Sequence, residues 1–228
     1  MKLNTEGDFL LVNKPLEWTS FDVVNKLRYL LKIKKIGHAG TLDPLATGLL
    51  IICTGKMTRQ IDAFQGLDKE YSGTFVLGQT TPSYDLETTA SQPVDISHVS
   101  DGHIREAAQS FIGKIQQVPP IHSSIRVNGR RAYALARKGK EVKLQPREVE
   151  IKEFEIVHIA KPIVSFRVIC SKGTYIRSLA HDFGGYLGVG AYLSSLCRTK
   201  IGSYKLEDAL SLEQIKASLP ALPITPLA

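Results

Sequence analysis

The segment from Gly37 to Leu50 combines the residue types that could do chemistry, and it reads Gly-His-Ala-Gly-Thr-Leu-Asp-Pro-Leu-Ala-Thr-Gly-Leu-Leu. Its three glycines, the Asp43-Pro44 turn and the following apolar run indicate a loop that holds one carboxylate at the mouth of a sheet. A carboxylate in such a position can act as a nucleophile. A simpler interpretation also fits, in which Asp43 stabilises an Asx turn and His38 is hydrogen-bonded to backbone. The pattern alone leaves both interpretations open.

Other catalytic motifs fail when they are tested against the sequence. Gly55-Lys56 suggests a phosphate loop, but Leu50 and Met57 occupy positions where that motif needs Gly and Ser or Thr. The glycine cluster 184–190 lacks the spacing of a dinucleotide loop, and the sequence contains no HExxH or GxSxG. The three cysteines lie far apart without metal-ligand spacing. The sequence therefore argues against hydrolase, kinase, dehydrogenase and metalloenzyme functions, and it predicts no metal site.

The bulk composition is that of a globular protein with one basic segment. The 228 residues are 43% hydrophobic and 22% charged. No segment has the apolar length of a membrane span, and the N-terminus lacks a signal peptide, so we expect a cytoplasmic protein. Eight basic residues and one acid lie between Arg126 and Arg147, so the net charge of this segment equals the +7 of the whole chain. Such a segment suits a polyanionic partner, although a solvated helix face would have the same composition.

Strand and helix patterns alternate without regular βαβ repeats, which predicts an α+β fold with a largely antiparallel mixed sheet flanked by helices. A capped helix is predicted from Thr19, with Phe21, Val24, Leu27 and Leu31 on its apolar face. Residues 80–100 are predicted to form a surface connection. The runs 149–159 and 163–170 flank Lys161-Pro162 and predict a long antiparallel hairpin.

The segment 37–50 resembles the signature loop of the tRNA pseudouridine synthase B family, which includes bacterial relatives of the Cbf and dyskerin enzymes. The resemblance extends over residues 9 to 204 through further motifs in the same order. These motifs are Asn13-Lys14-Pro15 with Trp18-Thr19-Ser20, Lys69-Glu70-Tyr71, Asn128 to Tyr133, Ser171 to Ala180, and Leu196-Cys197-Arg198-Thr199. The resemblance implies a pseudouridine-synthase-like fold and an isomerase that converts one uridine of the tRNA T-loop, at position 55, to pseudouridine.

The resemblance implies a mechanism that needs no cofactor, because the reaction neither gains nor loses atoms. The target uridine would be flipped out of the T-loop before the chemistry begins. Asp43 would then act as the nucleophile at the anomeric carbon, at the base or at the 2′ position, and the sequence does not choose among these. Arg177 would pair with Asp43 and keep it charged, and Tyr71 would stack on the uracil and relay a proton.

The remaining site residues also follow from the resemblance. Tyr175 and Leu196 would form the walls of the uracil pocket, and His38 would contact the disrupted T-loop. Lys14 and the arginines of the basic segment, Arg130, Arg131 and Arg137, would hold phosphates. The implied partner is the T-arm stem-loop of tRNA, with no membrane and no obligatory protein partner.

The chain also departs from the family pattern in ways that shape the domain prediction. Glu17 stands where the family usually has glycine. Many members continue into a C-terminal RNA-binding domain, whereas this chain stops 24 residues after residue 204, where the resemblance ends. We therefore predict one catalytic domain over residues 1–218, with a basic insertion at about 120–147, a short tail at 219–228 and no separate C-terminal RNA-binding domain.

Two other functions remain to be weighed against the isomerase. A tRNA-refolding module without chemistry would have no need of Asp43, Tyr71 and Arg177, all of which are present. A uridine isomerase for ribosomal or guide-directed RNA would resemble relatives that normally carry the C-terminal domain. The T-loop isomerase fits the residues best.

Overall fold

The computed structural model describes residues 7–121, 123, 126–127, 130–131 and 144–219. The chain divides into two compact units, Met1–Gly66 with Thr199–Ala228, and Leu67–Arg198. The single catalytic domain over residues 1–218 stays a prediction. Among the described residues, no helix has the length and apolarity needed to cross a membrane.

Helices and strands alternate irregularly along the chain. The helices are α1 (Ser20–Leu31), α2 (Ile61–Gly66), α3 (Asp101–Ser110), α4 (Ile176–Tyr186) and α5 (Leu212–Ser218). The strands are β1 (Phe9–Lys14), β2 (Ile36–His38), β3 (Ala46–Thr54), β4 (Lys69–Leu77), β5 (Gly113–Gln117), β6 (Arg126–Val127), β7 (Arg130–Arg131), β8 (Arg147–Ala160), β9 (Ile163–Cys170), β10 (Ala191–Ile201) and β11 (Tyr204–Lys205). Short 3₁₀ helices span Gly55–Gln60 and Leu206–Asp208. The predicted α+β class is confirmed.

The first unit is built around β3, which is buried along nearly its whole length. β1 pairs with it antiparallel, with Lys14 opposite Gly48, and β2 pairs with it antiparallel, with His38 opposite Ile52. The apolar side of α1 packs on these strands and on α5 in one hydrophobic core. The loop between β2 and β3 therefore connects two strands that are paired with each other.

Helix α1 begins at the predicted place, but one residue of its predicted apolar face is wrong. Thr19 caps the helix in a capping box with Asp22. Val24 and Leu27 are buried as predicted, whereas Phe21 is 60% exposed. Ser20 takes the inward position at this end of the helix because its hydroxyl group bonds to the backbone of the β2–β3 loop.

The second unit contains antiparallel strands in the order β10–β4–β9–β8–β5. The long hairpin of β8 and β9 confirms the prediction from the runs on either side of Lys161-Pro162. Four phenylalanines, Phe75, Phe154, Phe166 and Phe183, fill the core between these strands and α4, and the rings of Phe75 and Phe166 stack with centroids 4.1 Å apart. This packing holds α4 against the strands through Phe183.

The glycine cluster after α4 forms a tight turn rather than a ligand loop. The amides of Val189 and Gly190 both donate to the carbonyl of Gly184. A side chain at Gly184 would collide with the backbone of Ala191, whose nitrogen would lie 2.0 Å from the added carbon. The glycines are therefore needed to turn the chain from α4 directly into β10.

Candidate active site

Asp43 occupies the first position of a β-turn at the entrance to β3. The amide of Ala46 donates to the carbonyl of Asp43 at 3.1 Å, and Pro44 fills the second turn position, which favours its fixed φ. Asp43 is half-buried. This arrangement agrees with the predicted presentation of one carboxylate at the end of a strand.

The backbone on the N-terminal side of Asp43 is fixed by Ser20. The buried hydroxyl group of Ser20 accepts a hydrogen bond from the amide of Leu42 at 2.8 Å and donates to the Leu42 carbonyl at 3.2 Å. One side chain thus satisfies both polar groups of the residue before Asp43. Sequence reasoning did not single out Ser20 for this role, because helix capping explained its neighbours.

The backbone on the C-terminal side is fixed by Lys14 and Glu17. The Lys14 ammonium donates to the carbonyls of Pro44 (3.3 Å), Pro15 (2.9 Å) and Trp18 (2.5 Å). The amide of Glu17 donates to the same Pro44 carbonyl at 2.9 Å. The backbone therefore holds Asp43 from both sides.

The predicted phosphate contact of Lys14 is wrong in this structure. Lys14 is 0% exposed, and its ammonium points at backbone carbonyls rather than at solvent. A buried ammonium cannot touch an RNA phosphate, and burial of such a charge requires that it be hydrogen-bonded. Lys14 is thus a structural support of the Asp43 turn.

Arg177 lies in the first turn of α4, in the second unit, and is 3% exposed. Its Nε lies 3.5 Å from Oδ2 of Asp85, and its Nη1 donates to the carbonyl of Ser83 at 3.3 Å. Asp85 is itself 4% exposed. Arg177 and Asp85 therefore form a buried ion pair, and Asp85 is a site residue that sequence reasoning missed.

The segment around Asp85 was predicted to be a surface connection, and for these residues the prediction is wrong. The carbonyl of Asp85 accepts hydrogen bonds from the hydroxyl groups of Thr81 at 2.7 Å and Ser83 at 3.1 Å, and all three residues are buried. Its Oδ1 accepts from the amide of Glu87 at 3.0 Å. Polar residues fold this segment inward because they bond to one another, which a composition rich in Thr, Ser and Asp does not distinguish from a solvated loop.

The other predicted pocket residues of the second unit lie on its strands and at the start of α4. Tyr71 is on β4, opposite Val168, and is 8% exposed. Tyr175 is the N-cap of α4, where its backbone exchanges two hydrogen bonds with the buried side chain of Gln117. The Arg147 guanidinium lies 5.4 Å from the centre of the Tyr175 ring. Leu196 is half-buried on β10.

A second buried cation, Lys69, lies two residues before Tyr71 and on the same face of β4. Lys69 is 7% exposed, and its ammonium donates to the carbonyl of Leu67 at 2.5 Å. Burial, assisted by the charge of Arg198, lowers the pKa of Lys69 to about 8. No local pattern around Lys69 indicates that its side chain is buried.

The predicted site residues are therefore distributed over both units. His38, Lys14 and Asp43 belong to the first unit, whereas Tyr71, Tyr175, Arg177 and Leu196 belong to the second. The pairing of Asp43 with Arg177 stays a prediction. Arg130 and Arg131 form β7, paired antiparallel with β6, while Arg137 and the helix predicted near 131–138 lie outside the described residues except for Arg131.

Comparison with solved structures shows which proteins share this fold. The chain is similar to a chain in the crystal structure of a Cbf5-Nop10-Gar1 complex, with a TM-score of 0.73 and 31% identity over 93% of the present chain. It is also similar to a chain of an H/ACA RNP bound to a substrate RNA containing 2′-deoxyuridine, with a TM-score of 0.69 and 29% identity over the same share. The chain spans about half the length of each, 54% and 53%.

Comparison with sequence families identifies the group. Residues 28–176 match the N-terminal domain of the TruB family pseudouridylate synthases, and residues 177–221 match the C-terminal domain of tRNA pseudouridylate synthase B. A tRNA pseudouridine synthase B from Flavobacterium johnsoniae is 52% identical over 94% of this chain and 96% of its own length. One from Chlorobaculum tepidum is 50% identical over 93% and 91%. The chain belongs to the TruB family of pseudouridylate synthases.

Proposed function

We propose that this protein converts a uridine in the T-loop of tRNA to pseudouridine, with Asp43 as the nucleophile. Relatives named tRNA pseudouridine synthase B share about half of its residues over nearly their full length. The fold is that of the pseudouridine synthases. The activity on tRNA follows from these relatives, and the T-loop position and the role of Asp43 are our own assignments.

The reaction sets clear physical demands on the site. The bond from N1 of uracil to the sugar breaks, the free base rotates, a new bond forms from C5 to the same sugar carbon, and the C5 proton is lost while N1 regains one. An attacking carboxylate splits this exchange into two easier steps, as in retaining glycosidases. The base must be held throughout, or water would compete for the sugar.

The held turn around Asp43 is the observation that carries the proposal. Asp43 is half-buried, and the backbone of Leu42 and Pro44 on either side of it is fixed by Ser20, Lys14 and Glu17. A nucleophile gains most of its effect from being kept within a small distance and angle of the reacting atom. A surface Asx turn would not require a buried lysine and a buried serine to hold its neighbours.

The other residues receive roles that match their places in the second unit. Tyr71 stacks on the uracil and passes the C5 proton, and Tyr175 and Leu196 bound the base. Arg177, held by Asp85, supplies positive charge for the carboxylate of Asp43. His38 supports the opened T-loop, and Arg130, Arg131 and Arg137 contact phosphates. The enzyme works in the cytoplasm without an obligatory protein partner.

The nucleophile assignment is tested by replacing Asp43 with asparagine, which keeps the shape of the side chain and removes its charge. Asp43→Asn is expected to bind a T-arm hairpin with wild-type affinity and to form no detectable pseudouridine. Pseudouridine is mapped with carbodiimide adducts, because the isomer has the mass of uridine. Asp62→Asn, which changes an exposed acid of α2 in the same unit, is the matched control and should keep full activity. Turnover by Asp43→Asn near the wild-type rate would show that another residue is the nucleophile.

A further inference from the structure

Basic residues are concentrated on one stretch of the first unit, at α1 and the turn that leads to β2. The sequence from residue 23 to residue 42 contains five Lys and Arg residues and no acid. Outside 126–147 the acids and bases of the chain balance in number, so this local excess is hidden in the overall charge. The basic segment 126–147 is therefore not the only concentrated positive charge in the sequence.

We call four of these residues the α1 basic strip: Arg28 and Lys32 at the end of α1, and Lys34 and Lys35 in the turn to β2. The three lysines are exposed and Arg28 is half-exposed. The fifth basic residue, Lys26, is left out because it lies near Glu213 of α5, whose pKa is lowered mainly by hydrogen bonds at the start of α5 and also by the charge of Lys26.

Among the described residues, no acid forms an ion pair with a residue of the strip. Asp22, on the same helix, is engaged in the capping box with Thr19. Arg28 donates a hydrogen bond to the amide oxygen of Asn25. The positive charge of the strip therefore remains available to an anionic partner.

Aromatic side chains extend the same face of α1. Phe21 is 60% exposed and Tyr29 is 80% exposed. At 100° per residue, Phe21, Arg28, Tyr29 and Lys32 fall within about 100° of one another, on the side opposite the buried Val23 and Leu27. A row of basic groups beside exposed aromatic rings is a combination with which proteins hold RNA. The basic side chains contact phosphates, and the aromatic rings contact sugars or nucleobases.

The strip lies far from the candidate nucleophile within the same unit. The carbonyl of Asp43 bonds to Ala46, the first residue of β3, whereas the carbonyl of Lys35 bonds to the amide of Gly55, just beyond its last residue. A nine-residue strand at about 3.3 Å per residue separates the two points by roughly 26 Å. A polyanion that contacts both points must span about this distance.

We propose that the α1 basic strip binds the sugar-phosphate backbone of a tRNA stem outside the T-loop, while the target uridine lies at Asp43. This inference rests on the proposed function, since it assumes that tRNA is the substrate. It adds a second RNA contact to the basic segment 126–147. The strip would make the affinity for whole tRNA greater than the affinity for the isolated loop.

The test compares two triple variants that remove the same charge. Lys32→Gln/Lys34→Gln/Lys35→Gln removes the lysines of the strip. Lys114→Gln/Lys152→Gln/Lys205→Gln removes exposed lysines that pair with Glu148, Asp68 and Glu207 elsewhere on the chain. Each variant is titrated with full-length tRNA over a series of salt concentrations, and with a minimal hairpin that keeps the T-loop and a stem too short to reach the strip.

The strip variant is expected to bind full-length tRNA about tenfold more weakly than the wild type. The slope of log affinity against log salt concentration should become less steep by about two to three, because each lost phosphate contact removes roughly 0.9 from the slope. Its affinity for the minimal hairpin should change less than twofold, and the control triple should match the wild type with both RNAs. Lys32→Arg/Lys34→Arg/Lys35→Arg should bind full-length tRNA normally, which separates charge from folding.

Three results would overturn the assignment. If the strip and control triples lost equal affinity for full-length tRNA, the effect would be due to net charge alone. If the strip variant kept its affinity for tRNA, the strip would not contact tRNA. Loss of binding to phosphatidylserine vesicles with tRNA affinity intact would point to a membrane surface instead. Pseudouridine formation by the wild type on the minimal hairpin tests the proposed function separately, so the two failures can be told apart.

Discussion

The turn that carries Asp43 and the helix start that carries Arg177 position their functional side chains by different means. The turn is fixed through the backbone of Leu42 and Pro44, and the carboxylate of Asp43 itself stays half-exposed. Arg177 is held directly by its own contacts to Asp85 and Ser83, and it is almost fully buried.

This difference corresponds to two different proposed functions: Asp43 must be reached by substrate, whereas Arg177 supplies charge to the site. A nucleophile must be reached by substrate, and at the turn the protein holds the backbone on both sides of Asp43. A cation that tunes a site works best away from water, where its field is less screened, and it then needs a carboxylate nearby to be tolerated. Substitutions at the turn should therefore affect turnover more than stability, and substitutions at the buried pair should affect both.

Removal of the carboxylate that faces Arg177 should have the largest effect on stability. Asp85→Ala breaks the buried ion pair with Arg177, whose guanidinium is 3% exposed. The expected cost is about 3–5 kcal/mol in the free energy of unfolding, because one partner of a buried ion pair is removed. Urea unfolding measures it, with Glu106→Ala on the exposed face of α3 as the control. A cost below about 1 kcal/mol would mean that the pair does not hold Arg177 as described.

The buried ammonium of Lys69 should produce a smaller effect that depends on pH. Its pKa is lowered from 10.5 to about 8, mainly by burial. Below pH 8 both folded and unfolded chains carry the proton, and the folded state bears a cost of about 3 kcal/mol. As the pH rises from 8 toward 10.5, the folded state loses its proton first and the cost disappears.

Lys69→Met should therefore be more stable than the wild type by about 3 kcal/mol at pH 7, and this advantage should shrink as the pH approaches 10. Unfolding free energies of both proteins, measured by urea titration between pH 7 and pH 9.5, give the difference directly. Exposed Lys152→Met is the control, since its ammonium is solvated and paired with Asp68. A gap that does not change with pH would show that Lys69 is not charged at a cost in the folded state.

Loss of the Ser20 hydroxyl group should separate function from stability at the turn. Ser20→Ala removes two hydrogen bonds to Leu42, at an expected cost of about 1–2 kcal/mol. Turnover should fall at least tenfold with little change in KM, because Asp43 loses its fixed placement while the RNA contacts remain. Steady-state kinetics on a T-arm hairpin check this, and Ser110→Ala on α3, which loses one local hydrogen bond, is the control. A rise in KM at constant kcat would assign Ser20 to binding instead.

Much of this architecture could be predicted because its signals are local. The capping box at Thr19, the hairpin around Lys161-Pro162 and the strand after Pro44 each follow from residues adjacent in sequence. Asp43 could be singled out in the same way, since the glycines and the proline around it lie in one short segment. The role of a turn is visible in sequence when the residues that form it are neighbours.

The supports of the site could not be predicted, because they depend on contacts between distant residues. Ser20 lies 22 positions from Leu42, and Asp85 and Ser83 meet Arg177 across more than 90 positions. A lysine in an Asn-Lys-Pro turn suggests a solvated cation, and only the fold shows that Lys14 is buried under three carbonyls. Segment 80–100 was taken for surface since polar residues that bond to one another look the same in sequence as polar residues that face water.

Glu17 offers the smallest and most specific test of the turn. Its φ is +65°, in the left-handed region that favours glycine, and its amide bonds to the carbonyl of Pro44 beside Asp43. Glu17→Gly should stabilise the protein by about 0.5–1 kcal/mol, since relief of the backbone strain exceeds the added entropy of the unfolded chain. Glu17→Ala removes the same carboxylate but keeps the Cβ, so it should bring no gain. Because the glycine keeps the amide that holds Pro44, pseudouridine formation should be unchanged while urea unfolding shifts to higher concentration. A stability gain in the alanine variant equal to that in the glycine variant would assign the effect to the charge of Glu17 and not to its backbone.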